Sequence, residues 1–487
     1  MSIWRVKPVS AFEADMKKSE LKRVLGKWSL TAIGIGAIIG GGIFVLTGTG
    51  AYYHAGPALA LSFIIAGVAC VFAALCYSEF ASILPVEGSA YAYAYGTIGE
   101  LFAWIIGWGL ILEYAMGSMT VAVSWSGYFN KLLKMFGLHL PDWLTSDPAS
   151  YTGQGFSMNL PAFCIVIFVI SILIRGTEGA AKANNLIVVL KVSAVLFVIV
   201  AGAFYINTAN WHPFIPDATT IIDNAGKAHE AYGFKGVVSG AAAIFFAYVG
   251  FDAVSTQAGE AINPKKDVPF AIITSLLVCT FLYILVSLVL TGMMNFNDFN
   301  PMGNYPEAIK APVAYAFDIA GQAWAGYVVT IAATIGLISV LMVMIMGQSR
   351  IFLGMSKDGL IPPVFSKIHG LSGTPKTNLL ILGSVIAIVA AFTPINKLAD
   401  MTSFGTLFAF TMVCIAVWIL RRKQPELHRP FKVPFLPLIA VCGILINTYL
   451  MINLSIDAQM LSIGWLVIGV FIYFIYGKRK AKLNNPS

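Results

Sequence analysis

Twelve apolar stretches, each long enough to cross a lipid bilayer as a helix, run through the chain almost end to end, and they leave it few folds to choose from. They cover residues 29–54, 57–83, 98–128, 158–175, 184–207, 236–257, 269–294, 325–350, 377–393, 401–420, 433–454 and 459–477. The longest connections, 129–157 and 295–324, are too short for a soluble domain. With 58% hydrophobic and only 11% charged residues among 487, and a mean hydropathy of +0.80, the expected fold class is an all-α integral membrane protein with twelve transmembrane helices.

Basic residues set the orientation, because cytoplasmic loops retain Lys and Arg. With the N-terminus inside, 24 of the 31 Lys and Arg fall in inner segments, among them Lys17, Lys18, Lys22, Arg175, Lys182 and the run from Arg421 to Lys432. Six fall outside, Lys227 among them, and Lys191 alone lies within a span. Both termini are therefore expected in the cytoplasm, with the chain in the cell membrane. The net charge of +8 reflects this topology and calls for no nucleic-acid partner. Residues 1–28 read as an uncleaved cytoplasmic lead-in.

All six cysteines fall inside spans, so no disulfide-linked subunit is expected. The six histidines, including His229 and His369, sit in or beside loops without metal-ligand spacing. Neither a metal nor another cofactor is expected, and no small accessory membrane protein is indicated. Paired catalytic aspartates, a buried Ser–His set and an HExxH motif are absent from the sequence, which argues against an intramembrane enzyme.

Two spans are interrupted. The first reads GAIIGGGIF from Gly36 to Phe44, and three consecutive glycines are a poor choice for a simple anchor. Unwound there, the span would offer carbonyls at the end of its first half and N–H groups at the start of its second, which suit an ammonium and a carboxylate. Close helix packing is the competing explanation, since Gly36 and Gly40 also form a GxxxG. The sixth span carries Gly250 in its middle and Asp252 just after it. Matched breaks in spans one and six suggest two five-span repeats, 29–207 and 236–420, followed by two further helices in 433–477 and a cytoplasmic tail in 478–487. A receptor would not need two matched breaks.

Five motifs in order, GIGAIIGGGIFVLTG (34–48), GWGLILEY (107–114), FFAYVGFDAVST (245–256), NPKKDVP (263–269) and MSKDGLIP (355–362), resemble the cationic amino acid transporter branch of the amino acid–polyamine–organocation superfamily. The resemblance implies the 5+5 inverted-repeat fold of amino acid transporters, with an L-amino acid substrate held between the broken helices. Carried over motif by motif, it places the substrate carboxylate on the amides of Gly41, Gly42 and Ile43, beside Gly40. The ammonium meets the carbonyls of Ile38, Phe246 and Val249, beside Gly250. Many bacterial relatives have threonine at the position of Gly41, so one hydroxyl contact is expected to be missing here.

Lys191 stands out without any resemblance. An unpaired ammonium at the bilayer centre costs at least about 2.5 kcal/mol and normally marks a pathway. It lies seven residues past Asn184, which at 1.5 Å per residue is about 10 Å, beyond the reach of a snorkelling lysine. In related proton-coupled carriers a lysine on span five occupies the place of a sodium ion, so Lys191 is read as the site of a coupling H+. The alternative is a fixed structural charge bonded to span-one carbonyls. Glu113 is assigned to the substrate cavity or to a relay, with a paired packing role as its alternative. Asp252 is expected to cap or brace the second half of span six, and Glu260 to pair with basic residues at the cytoplasmic end.

Met344 aligns with a position that carriers of cationic substrates fill with a small residue, so its long side chain would shorten the cavity. The aromatic run YAYAYG (91–96) reads as an interfacial anchor. The resulting expectation is a proton-coupled symporter of small neutral, alanine-like L-amino acids. The rival is a cationic amino acid carrier or an exchanger on the same fold.

Overall fold

A computed structural model describes residues 4–8, 11–12, 23, 25–84, 89–151, 153–175, 177–222, 228–368 and 374–482, leaving aside the side chains of 177–183 and His229. Lys17, Lys18, Lys22, Lys227 and His369 lie outside the described residues, as do the side chains of Lys182 and His229.

Each apolar stretch forms a helix, the one form in which a single segment satisfies its own backbone in lipid. They are α1 (27–55), α2 (Leu59–Ile83), α3 (Glu100–Met135), α4 (Leu160–Arg175), α5 (Thr177–Ala203), α6 (Gly233–Thr256), α7 (Pro264–Met293), α8 (Ala323–Lys357), α9 (Lys376–Phe392), α10 (Ile395–Lys423), α11 (Leu436–Ile452) and α12 (Ile456–Ile472). Chain stiffness sets several starts: Gly56, at φ +60, turns the chain, and Pro57 precedes α2. Pro264 opens α7, where its missing N–H has no cost.

Hydropathy locates the membrane but not the helix ends. Helix α3 continues through Lys131 and Lys134, well past the apolar stretch, because those ammoniums pair with Asp318 and Glu307 of the 295–324 connection. Helix α8 likewise runs on to Lys357. A further feature not expected from the sequence is a hairpin between α5 and α6, in which β1 (Thr219–Ile222) pairs antiparallel with β2 (Ala228–Ala231).

The aromatic run corrects a sequence expectation. Ala90–Tyr95 is a short helix, and Tyr91, Tyr93 and Tyr95 are all buried, so the run is not a lipid-facing anchor. Its hydroxyls are drawn inward: Tyr91 donates to Asp358 at 2.7 Å and Tyr95 to Glu100 at 3.4 Å, while the Tyr93 ring stacks on Phe80.

Packing has a regular pattern. Helix α2 lies against α7, α3 against α8 and α4 against α9. The α1–α7 contact is matched by α6–α2, α5–α8 by α10–α3, and α1–α5 by α6–α10. Exchanging each of helices α1–α5 with the helix five places later thus maps one contact onto another, with α11 and α12 packed outside on α2, α3 and α10. The two ends of the chain meet on one face. Arg5 pairs with Glu100, Lys7 with Asp358, and the Lys482 N–H donates to the Asp358 carbonyl.

Candidate functional site

Helix α1 is broken where its glycines are. Its first half, Lys27–Ile38, ends as the Ile39 N–H donates to the Ile35 carbonyl at 2.9 Å, and Ile39 then turns extended, at ψ 98. Bonding resumes from the Phe44 N–H to the Gly40 carbonyl at 3.3 Å, followed by wide turns over Gly42–Leu46. The N–H groups of Gly41, Gly42 and Ile43 therefore stand in the first turn of the second half, where a helix has no acceptor of its own. At the other lip, the Ile38 carbonyl accepts from the Tyr283 hydroxyl at 2.7 Å. Tyr128, on α3, steadies the second half by donating to the Phe44 carbonyl at 2.7 Å.

Helix α6 breaks opposite. It tightens over Ile244–Tyr248, turns extended at Val249 (ψ 132), passes Gly250 at φ +116 and resumes as one turn, Ala253–Thr256. The turn at Val249 takes its carbonyl out of the helical direction, whereas the Phe246 carbonyl accepts the Val249 N–H at 3.1 Å.

The two breaks are fitted to each other by reciprocal glycines. A Cβ on Gly42 would collide with the Ala247 backbone, and one on Gly250 would lie 2.9 Å from Ala37 Cβ. Gly36 and Gly40 do pack closely, against Val188 of α5 and Val340 of α8, so the GxxxG explanation holds for those two. Gly41, Gly42 and Gly250 lie outside that motif and are packed as tightly, against Ser124, Ala247 and Ala37. The structure brings Ile38, Gly40, Gly41, Gly42, Ile43, Phe246, Val249 and Gly250 to one junction. Met344, one turn after Val340, has its sulfur 3.7 Å from where a Cβ on Gly117 would sit.

Lys191 is fully buried on α5 and reaches the end of the first half of α1. Its ammonium donates to the carbonyls of Gly36 and Ile39, the latter at 2.9 Å, and to Ser339 Oγ of α8 at 2.8 Å. Gly336 makes room for the lysine stem, since a Cβ there would be 3.1 Å from Lys191 Cβ. A helix C-terminus carries partial negative charge, so the position suits a cation.

Glu113 sits on α3. It is fully buried against Gly405 of α10, and neither carboxylate oxygen has a hydrogen-bond partner among the described residues. Its neighbour Tyr114 donates to Asp252 at 2.8 Å. Asp252 makes no side-chain cap, so it braces α6 against α3 and does not cap the turn that follows. Towards the chain ends, Glu260 pairs with Arg350 at 2.6 Å, as expected of a carboxylate placed to meet basic residues.

A crevice of about 520 Å³ lies away from the breaks, lined by Phe197, Val200, Phe204, Phe317 and Trp324 among others. Its walls are mostly apolar, with Ser193, Tyr205 and Gln322 as their polar side chains, and no charged residue lines it. Sequence reasoning missed Ser124, Tyr128, Tyr283 and Ser339 at the junction, because single hydroxyls in apolar spans give no pattern.

Residues 25–476 match the family model described as amino acid permease. Over 485 residues, 99% of both chains, the sequence is 44% identical to the branched-chain amino acid permease BcaP of Bacillus subtilis (strain 168). It is 41% identical to the methylthioribose transporter of the same organism, over 99% of this chain and 100% of that one. It is also 37% identical to cationic amino acid transporter 3, mitochondrial, of Arabidopsis thaliana, over 87% of this chain and 65% of that protein.

Proposed function

The chain belongs to the amino acid permease family, and from that premise we propose that it imports small neutral L-amino acids with a proton by alternating access across the cell membrane, termini in the cytoplasm. The observation that carries this reading is the facing pair of breaks. Amides of Gly41, Gly42 and Ile43 stand at one lip and the carbonyls of Ile38 and Val249 at the other, complementary to the two charges of an α-amino acid. The packing pattern that repeats after five helices supports two repeats, 29–207 and 236–420, as the moving units.

Met344 supports a short, neutral side chain, and the branched-chain permease supports an apolar one. The cationic reading has the more distant Arabidopsis relative in its favour, and methylthioribose has a relative of full length. Methylthioribose has neither carboxylate nor ammonium to use the two lips.

A neutral amino acid gains nothing from membrane voltage, so its accumulation needs a coupled ion. One proton supplies about 2.3 kcal/mol per 100 mV and about 1.4 kcal/mol per pH unit. Lys191 fits that role because its ammonium ties α1 to α5 and α8. Loss of its proton would leave fewer donors for the Gly36 and Ile39 carbonyls and free the first half of α1 to move. The test is uptake of labelled L-leucine and L-alanine into proteoliposomes with and without an inward pH gradient. Gradient-driven accumulation that excess arginine does not inhibit is expected. Arginine competition, or full accumulation by Lys191→Ala, would refute the substrate or the coupling assignment respectively.

A further inference from the structure

The other hydroxyls inside α3 all have partners: Ser118 donates to the Tyr114 carbonyl at 2.7 Å, Thr120 to the Met116 carbonyl at 2.8 Å and Ser126 to Asn159 Oδ1 at 2.6 Å. Ser124 is the exception. It is 2% exposed, its Oγ has no hydrogen-bond partner among the described residues, and that Oγ lies 2.6 Å from where a Cβ on Gly41 would be. A buried hydroxyl left unbonded loses about 1–3 kcal/mol relative to one with a partner, so its orientation needs a reason. Beside it stand the amides of the second half of α1, which also lack helical acceptors.

We propose that Ser124 is a substrate-binding residue, donating its hydroxyl to the α-carboxylate held by the amides of Gly41, Gly42 and Ile43. This rests on the amino acid reading of the site and adds a contact from α3, outside the two broken helices. It also explains Gly41: the space a side chain would take there holds the hydroxyl supplied from the opposite helix. The same geometry makes the carboxylate a bridge between α1 and α3, so binding would draw the two helices together. A substrate lacking the carboxylate would leave Ser124 unbonded.

The test measures equilibrium binding of tritiated L-leucine to the purified full-length protein, with unlabelled L-leucine and isopentylamine, its analogue without the carboxylate, as competitors. Ser124→Ala should weaken leucine about ten- to a hundredfold, as a lost hydrogen bond to a charged group implies, and leave the weak affinity for the amine unchanged. The melting temperature of the unliganded protein should not fall, because the hydroxyl has no partner to lose. Unchanged leucine affinity, or equal losses for leucine and the amine, overturns the assignment to Ser124. Failure of the wild-type protein to bind any neutral L-amino acid would instead overturn the transport reading on which the assignment rests.

Discussion

Lys191 and Glu113 are both fully buried on helices that border the breaks, yet their surroundings are opposite. Each N–H of the lysine ammonium has an acceptor, drawn from α1 and α8. Neither oxygen of the Glu113 carboxylate has a donor among the described residues, and Asp252 nearby has one, from Tyr114. The cation is therefore a tie among three helices, and the carboxylates form a region with bonding capacity to spare. A saturated group loses much on removal, whereas an unsatisfied one loses little. Lys191 holds the end of the first half of α1, whereas the oxygens of Glu113 hold no helix in place among the described residues.

The largest predicted effect is that of Lys191→Ala. It takes the ammonium from the Gly36 and Ile39 carbonyls, at about 1–3 kcal/mol for each one left unsatisfied, while Ser339 keeps its bond to the Gly336 carbonyl. A fall of several degrees in melting temperature should accompany the loss of gradient-driven accumulation. Next, Tyr114→Phe removes a hydroxyl bonded to Asp252, worth about 1.5–3 kcal/mol for a hydrogen bond to a carboxylate. Glu113→Gln should change the melting temperature little, since no bond is broken. If it destabilises as much as Lys191→Ala does, the contrast between the two regions is false.

The smallest effect lies at the loop that clasps α3. Partial burial raises the pKa of Glu307, but hydrogen bonds from Lys134 and Tyr315 and the charges of Lys134 and Lys310 outweigh it and hold the carboxyl below its usual value. A depressed carboxyl stabilises the fold above its unfolded pKa and loses that contribution as pH falls through its folded one. Glu307→Gln should thus cost under about 1 kcal/mol at neutral pH, because the pair is half exposed. The difference from wild type should vanish once the pH drops below the ordinary carboxylate range. Melting curves across pH would register a difference that persists in acid as a contradiction.

Much of this was legible in the residues. Hydropathy located all twelve helices, and the runs around Gly41 and Gly250 marked both breaks, because lipid forces a helix unless glycine or a ligand intervenes. Lys191 announced itself through the desolvation of a charge. The partners of these groups were not legible. Ser124, Tyr283 and Ser339 become special only when another helix brings a carbonyl, an amide or an ammonium to them, which is a tertiary fact. The tyrosines at 91, 93 and 95 misled for the same reason: their spacing suits an interface until Asp358 and Glu100 supply acceptors for Tyr91 and Tyr95 and Phe80 stacks on Tyr93. The helix ends beyond 128 and 350 were hidden because charged residues stop a hydropathy window but do not stop a helix.

Competition binding tests the central claim most directly. Labelled L-leucine bound to the purified protein would be challenged with L-valine, isopentylamine, isovalerate and methylthioribose. If the paired breaks read both charges of an α-amino acid, L-valine displaces the label while the amine, the acid and the sugar need far higher concentrations. Displacement by the amine or the acid alone as readily as by valine would contradict the account, as would displacement by methylthioribose at lower concentration than valine.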